Sequence, residues 1–129
     1  MELRIRLRPA DAPGILAGLV QTDLQQIQQA GAAGAAPVLR GVIDGSLRYV
    51  RADPNEWWKD WRSILETGTF DCEDIAPAVA AELMLMGVSA RPVAFEAAPD
   101  LWHVIVEYWD GQRLVYADPS ILGGMSGGA

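Results

Sequence analysis

The stretch that most limits the fold is LWHVIVEYWDGQRLVYAD, residues 101–118. Two runs of alternating apolar residues flank Asp110-Gly111. An Asp-Gly pair in that setting is a strong hairpin signal, because the tight turns that match strand twist need residues that tolerate positive φ. A two-residue loop pairs Trp109 with Gln112, and that register sets His103, the only histidine, directly opposite Asp118. Opposed Cβ atoms of an antiparallel pair lie roughly 4.5–5.5 Å apart, so the two side chains can meet. An aspartate beside an imidazole fixes its tautomer and supports the imidazolium, the orienting role a catalytic acid plays for a histidine base. His103 shares its side of the strand with Ile105, Glu107 and Trp109, and Asp118 shares its side with Leu114 and Tyr116. That surface is largely apolar and is expected to pack against something, which would desolvate the pair and strengthen its hydrogen bond. The alternative is a structural His–Asp pair on an exposed hairpin face.

The rest of the chain reads as mixed helix and strand. Leu3, Ile5 and Leu7 alternate with charged residues, which predicts a strand over 2–8. Asp11 is a candidate N-cap, with Pro13 in the first turn. Ile15, Leu16, Leu19, Val20, Leu24 and Ile27 recur at helical spacing up to Gly31. GAAGAAP, residues 31–37, reads as a small-residue linker, and 38–50 is ambiguous between helix and strand. Residues 54–66 carry Trp57, Trp58 and Trp61 and predict a short helix ending at Gly68. Ile75, Ala76, Val79, Ala80 and Leu83 predict a helix over 71–86, stopped near Gly87. Asp71 is placed to cap that helix, with Cys72 at its first position. Pro77 conflicts with it, since an interior proline removes a backbone bond at a cost of roughly 3 kcal/mol. Either the helix bends there or it starts later and Cys72 lies on the loop before it. Strands are expected at 89–97, 101–109 and 112–118.

Cys72 is the only cysteine among the 129 residues. A disulfide within the chain is therefore impossible, and one Cys with one His falls short of the ligands a zinc site takes, so no metal or other cofactor is expected. A helix N-terminus lowers a thiol's pKa through its dipole and free N–H groups, and those groups can also stabilise an oxyanion. A neighbouring His can take the thiol proton. Asp71, Glu73 and Asp74 oppose a thiolate unless the aspartates turn toward the backbone as caps. Read alone, Cys72 is a small buried hydrophobe.

A net charge of −7 and a pI near 4.5 argue against nucleic acid or an anionic membrane as partner. No apolar run is long enough to span a bilayer, and the first residues lack the apolar core of a signal peptide. A free cysteine and no such signal predict a cytoplasmic protein, or a virion component if phage-encoded.

The order DCED…WHVIVEYW…YADPS resembles the core of the transglutaminase-like superfamily, which shares the papain-like α+β fold. The resemblance covers about residues 49–120. It implies a Cys-bearing helix packed on an antiparallel sheet that carries the His and the Asp. It implies Cys72 as nucleophile, His103 as general base and acid, and Asp118 as orienting acid. Phe70 stands where that family usually has Gly, and a side-chain oxyanion donor is expected upstream of the Cys, where Trp57, Trp58 and Trp61 carry the only indole N–H groups. The chain then divides as a single domain, 1–129: an N-terminal strand and helix extension (1–48), the core (49–120) and a flexible Gly-rich tail (121–129). The expected activity is cysteine-dependent acyl transfer on a peptide or amide, as in a small stand-alone bacterial or phage peptidase or amidase. The other expectation is a catalytically weak or inactive module, a structural component of a phage particle or another assembly, meeting partners through the tail and the N-terminal strand.

Overall fold

The computed structural model describes residues 12–50, 58–99 and 101–124. The strand expected at 2–8, the Asp11 cap, Trp57 and the last five residues of the tail lie outside the described residues. The architecture is α+β. In chain order the elements are α1 (Ala12–Gln29), α2 (Pro37–Asp44), β1 (Arg48–Tyr49), α3 (Trp61–Thr67), β2 (Thr69–Phe70), α4 (Cys72–Met84), β3 (Ala90–Ala98), β4 (Leu101–Trp109), β5 (Leu114–Ala117) and α5 (Pro119–Leu122). β3, β4 and β5 form an antiparallel sheet in that order, and β1 and β2 form a short parallel pair.

α4 is the centre of the molecule. Every residue from Asp74 to Glu82 is buried, so the single apolar stripe read from the sequence is in fact an almost complete girdle. A helix apolar all round belongs in a core. β4 presents Val104 and Val106 to that core, both with no exposed surface, and Leu16, Leu19, Val20 and Ile27 of α1 join the same cluster. The sheet thus packs through the face opposite the one expected, and Trp109, Leu114 and Tyr116 on the His103 side are exposed. The alanines at 76, 78, 80 and 81 let the surrounding elements come close.

α4 begins at Cys72 and runs through Pro77 without a break. This removes the alternative in which the helix starts later. Pro77 leaves the Glu73 carbonyl without its helical N–H partner, and the burial of the whole segment outweighs that one lost bond. The ambiguous stretch 38–50 resolves into α2 and β1. Gly41 is inside α2 because a Cβ there would lie 2.6 Å from Leu47 Cγ. α3 starts at Trp61, later than the 54–66 reading, and ends at Gly68 with φ 74°.

α2 has a cap that no local motif announces. Ala36 precedes it at φ 48° and offers no side-chain cap. Glu82 of α4 does the work from across the core: its Oε2 accepts the Val38 N–H and its Oε1 the Leu39 N–H, both at 2.8 Å. The same Oε2 accepts the Trp61 indole N–H at 3.0 Å. One buried carboxylate thereby ties α2, α3 and α4 together.

The hairpin register differs from the expected one. Trp109 pairs with Leu114 and Val106 with Ala117, so the loop holds four residues rather than two. Asp110 is the cause. Its Oδ1 accepts the backbone N–H groups of Gln112 (2.8 Å) and Arg113 (2.9 Å), an Asx-type turn, and Gly111 takes φ 104°. A slip of two residues leaves every side chain on the face it had, since the strand period is two. Asp118 is thus diagonal to His103 instead of opposite it, on the same face.

Candidate functional site

Asp118 sits where the chain leaves the sheet. β5 ends at Ala117, and Asp118 is the N-cap of α5, with Oδ1 accepting the Ser120 N–H at 3.1 Å. Its Oδ2 lies 2.5 Å from His103 Nε2. The side chains are only 11% and 19% exposed, so the bond forms in a largely dry setting. Phe95, the β3 partner of His103, meets the imidazole edge-on at 5.6 Å between ring centroids. The ring is therefore held by a strand, a carboxylate and an aromatic edge.

Cys72 is the first residue of α4. As such its backbone N–H has no partner within the helix. The Val104 N–H, on the residue after His103, and the Asp118 charge both act on the Cys72 thiol. The β4–β5 ladder has ended two residues before Val104, so β5 does not pair with β4 there. The fold joins His103 to Asp118 directly, and sets Cys72 near the Asp118 charge at the head of the helix that packs on Val104 and Val106.

The electrostatics of the thiol run against the sequence expectation. Burial pushes the Cys72 thiol up to about 12. The Val104 N–H opposes the rise, and the charges of Asp71, Glu73 and Asp118 add to it. Helix-terminus effects on a thiol are real but smaller than the desolvation of a thiolate here. The resting group is a neutral thiol.

The acids beside it are organised. Asp71 Oδ1 accepts the Asp74 N–H at 2.9 Å and Asp74 Oδ2 accepts the Asp71 N–H at 3.0 Å, a reciprocal capping box. Asp74 Oδ1 also accepts the Lys59 backbone N–H at 2.7 Å. Both aspartates turn toward the backbone, as the cap reading required. Burial raises the carboxyls of both, and the Asp71 charge raises Asp74 further. Burial and then Asp71 push Glu73 up to about 7. The patch therefore carries less charge at neutral pH than its three acids suggest.

Phe70 goes into the core. It is 1% exposed, meets Tyr49 edge-on at 6.3 Å, and lies so close under Gly123 that an added Cβ would come 2.2 Å from its Cζ. Gly123 is fixed there, its carbonyl accepting the Tyr49 N–H at 2.8 Å. The tail expected from 121 thus begins as the end of α5 and an anchored glycine. Of the indole donors, Trp61 is committed to Glu82 and is removed from the oxyanion reading, while Trp58 is buried.

Sequence reading missed Glu82, Lys59 and Asp23. For Glu82 and Asp23 a signal existed. Each is an acid standing at a core-facing position of a helical repeat, where a charge has no place without buried donors. Among the described residues no group of His, Cys, Asp and Glu is arranged to hold a metal ion, and no helix is long and apolar enough to cross a membrane. An apolar cavity of about 320 Å³ lies between α1 and β3, lined in part by Leu16, Val20, Met84 and Pro92. Met84 is the far end of α4 from Cys72, so this cavity is not part of the site. Comparison with protein-family models, with characterised proteins and with solved structures found no match to this chain.

Proposed function

We propose that Cys72, His103 and Asp118 form the site of a cysteine-dependent acyl-transfer enzyme of the transglutaminase-like, papain-like kind, acting on a peptide or amide. One observation carries the reading: Asp118 holds His103 by Nε2 at 2.5 Å, and the same Asp118 charge acts on the Cys72 thiol. With Nε2–H given to Asp118, Nδ1 is the ring nitrogen left to take a proton. The thiol proton moves to Nδ1 as the sulfur bonds to the amide carbon, so no standing thiolate is required. The imidazolium then gives that proton to the leaving amine as the C–N bond breaks, leaving a thioester on Cys72. Water or a second amine takes the acyl group, with His103 again accepting the proton. The first N–H of α4, which has no partner within the helix, is available to the developing oxyanion. The setting that suits this chemistry is a reducing cytoplasm, or a virion.

A second reading has its own support. A thiol pushed up to about 12 among carboxylates fits a module of this fold that serves in an assembly without catalysis.

Iodoacetamide labelling of Cys72 from pH 5 to 10, in the wild type and in His103→Ala, separates the two. The enzyme reading expects labelling below pH 8 that outpaces a free thiol and is lost in the variant. Slow labelling in both proteins, rising only at high pH, overturns it and leaves the assembly reading.

A further inference from the structure

Asp23 stands apart from the candidate site, in the middle of α1 on the stripe of Leu16, Leu19, Val20 and Ile27. It has no exposed surface. Its Oδ1 accepts the Trp61 backbone N–H at 2.7 Å, and its Oδ2 is buried with no hydrogen-bond partner among the described residues. Three residues on, Gln26 Oε1 accepts the Arg62 N–H at 2.9 Å while its Nε2 donates to Asp60 Oδ2 at 2.9 Å. Asp60 Oδ1 accepts the Ser63 N–H at 2.9 Å. The first three N–H groups of α3 are thus all capped by side chains, two of them from α1.

Two carboxylates act on Asp23 from the elements packed on α1. Asp60 precedes α3 and Glu82 is on α4, and both are carboxylates that oppose a charge on Asp23. Of the cations nearby in the chain, Arg62 is exposed, the Lys59 ammonium is held by Thr67 and Thr69, and Arg91 of β3 pairs with Glu107. Among the described residues no cation pairs with Asp23.

We infer that Asp23 is a buried proton site, held as a neutral carboxylic acid where α1 meets the N-terminus of α3. A neutral acid leaves one O–H without an acceptor, a smaller cost than burying an unpaired charge. An ionised one would place a charged, donorless oxygen in the core beside two other carboxylates. Burial pushes the carboxyl up to about 8; the Trp61 N–H opposes the rise, and Asp60 and Glu82 add to it. Above about pH 8 the carboxyl ionises at the expense of the folded chain's stability. The contact reaches toward the Cys72 helix, because Lys59, two residues before Trp61, gives its N–H to Asp74. The inference does not depend on any chemistry at Cys72.

The test is a carboxyl ¹³C titration of Asp23 in the full chain, with thermal melts of wild type and Asp23→Asn from pH 5 to 9. Asn keeps an acceptor for the Trp61 N–H and cannot ionise. Between the ordinary 3.8 and about 8 the folded wild type keeps a proton that the unfolded chain has released, so wild-type stability falls as pH rises. The melting temperature of Asp23→Asn minus that of wild type should therefore widen by roughly 3–6 °C per pH unit and level off above about pH 8. The Asp23 carboxyl should titrate near pH 8. A midpoint below about pH 6, closer to an exposed carboxylate's range, or a melting difference that does not change with pH, overturns the proposal. If the variant does not fold, the wild-type titration decides it alone.

Discussion

Asp118 joins His103 to the start of α5: its Oδ2 lies 2.5 Å from His103 Nε2 while its Oδ1 accepts the Ser120 N–H. The same carboxylate orients the imidazole and is fixed by the helix it caps. An orienting acid that is itself held in place loses little freedom when it holds the ring.

Asp118→Ala and Asp118→Asn should therefore differ. Alanine removes both the cap and the imidazole partner, with a stability loss of about 1 kcal/mol from the cap. Asparagine can still accept the Ser120 N–H and should keep most of that stability, while losing the negative charge that supports an imidazolium. On the enzyme reading both lower Cys72-dependent acyl transfer by roughly 10²-fold or more. Urea unfolding and a p-nitrophenyl ester assay, run side by side, check the two effects separately.

Glu82 accepts three donors in the core. Glu82→Ala leaves all three without a partner and opens a void, and should cost roughly 3–5 kcal/mol. Glu82→Gln retains one oxygen and should cost less. Equilibrium urea unfolding gives both values, and a loss under about 1 kcal/mol for the alanine variant would contradict the remote-cap role.

Gly123→Ala tests the seat of Phe70. The backbone there is at φ −85°, so the expected penalty is steric, not conformational. Overpacking against the Phe70 ring should cost roughly 1–3 kcal/mol. Combining it with Phe70→Leu should recover part of the loss, a coupling that a double-mutant cycle measures.

The acids at the head of α4 set a pH dependence of stability. Glu73 is raised from its ordinary 4.5 to about 7 by burial and then by Asp71. Between those values the folded chain holds a proton that the unfolded chain has released. Stability from this group is present in full below about pH 4.5 and is lost as pH rises through about 7, with a slope of at most about 1.4 kcal/mol per pH unit. Asp71, Asp74 and Glu82 are raised as well and act in the same direction. The urea midpoint should fall from pH 5 to pH 7.5, and Glu73→Gln should flatten that fall. A midpoint that climbs over this range would contradict the buried state of the cluster.

Period-two alternation around Asp110-Gly111 determined that His103 and Asp118 share a sheet face, because that parity survives any even slip of register. Helical spacing likewise determined a helix over this stretch, but Pro77 left open whether Cys72 headed it or lay on the loop before it. These are local properties, written within a few residues. The loop length was also local but was misread, because the Asp110 carboxylate competed for the turn N–H groups. Only the tertiary structure decided that α4 is buried on all sides, that Glu82 caps a helix 43 residues away in the chain at Leu39, and that Asp23 has one oxygen without a donor. It also decided that the Cys72 thiol is raised rather than lowered. Those outcomes depend on how much water each group loses, and desolvation is set by what the whole chain packs around it.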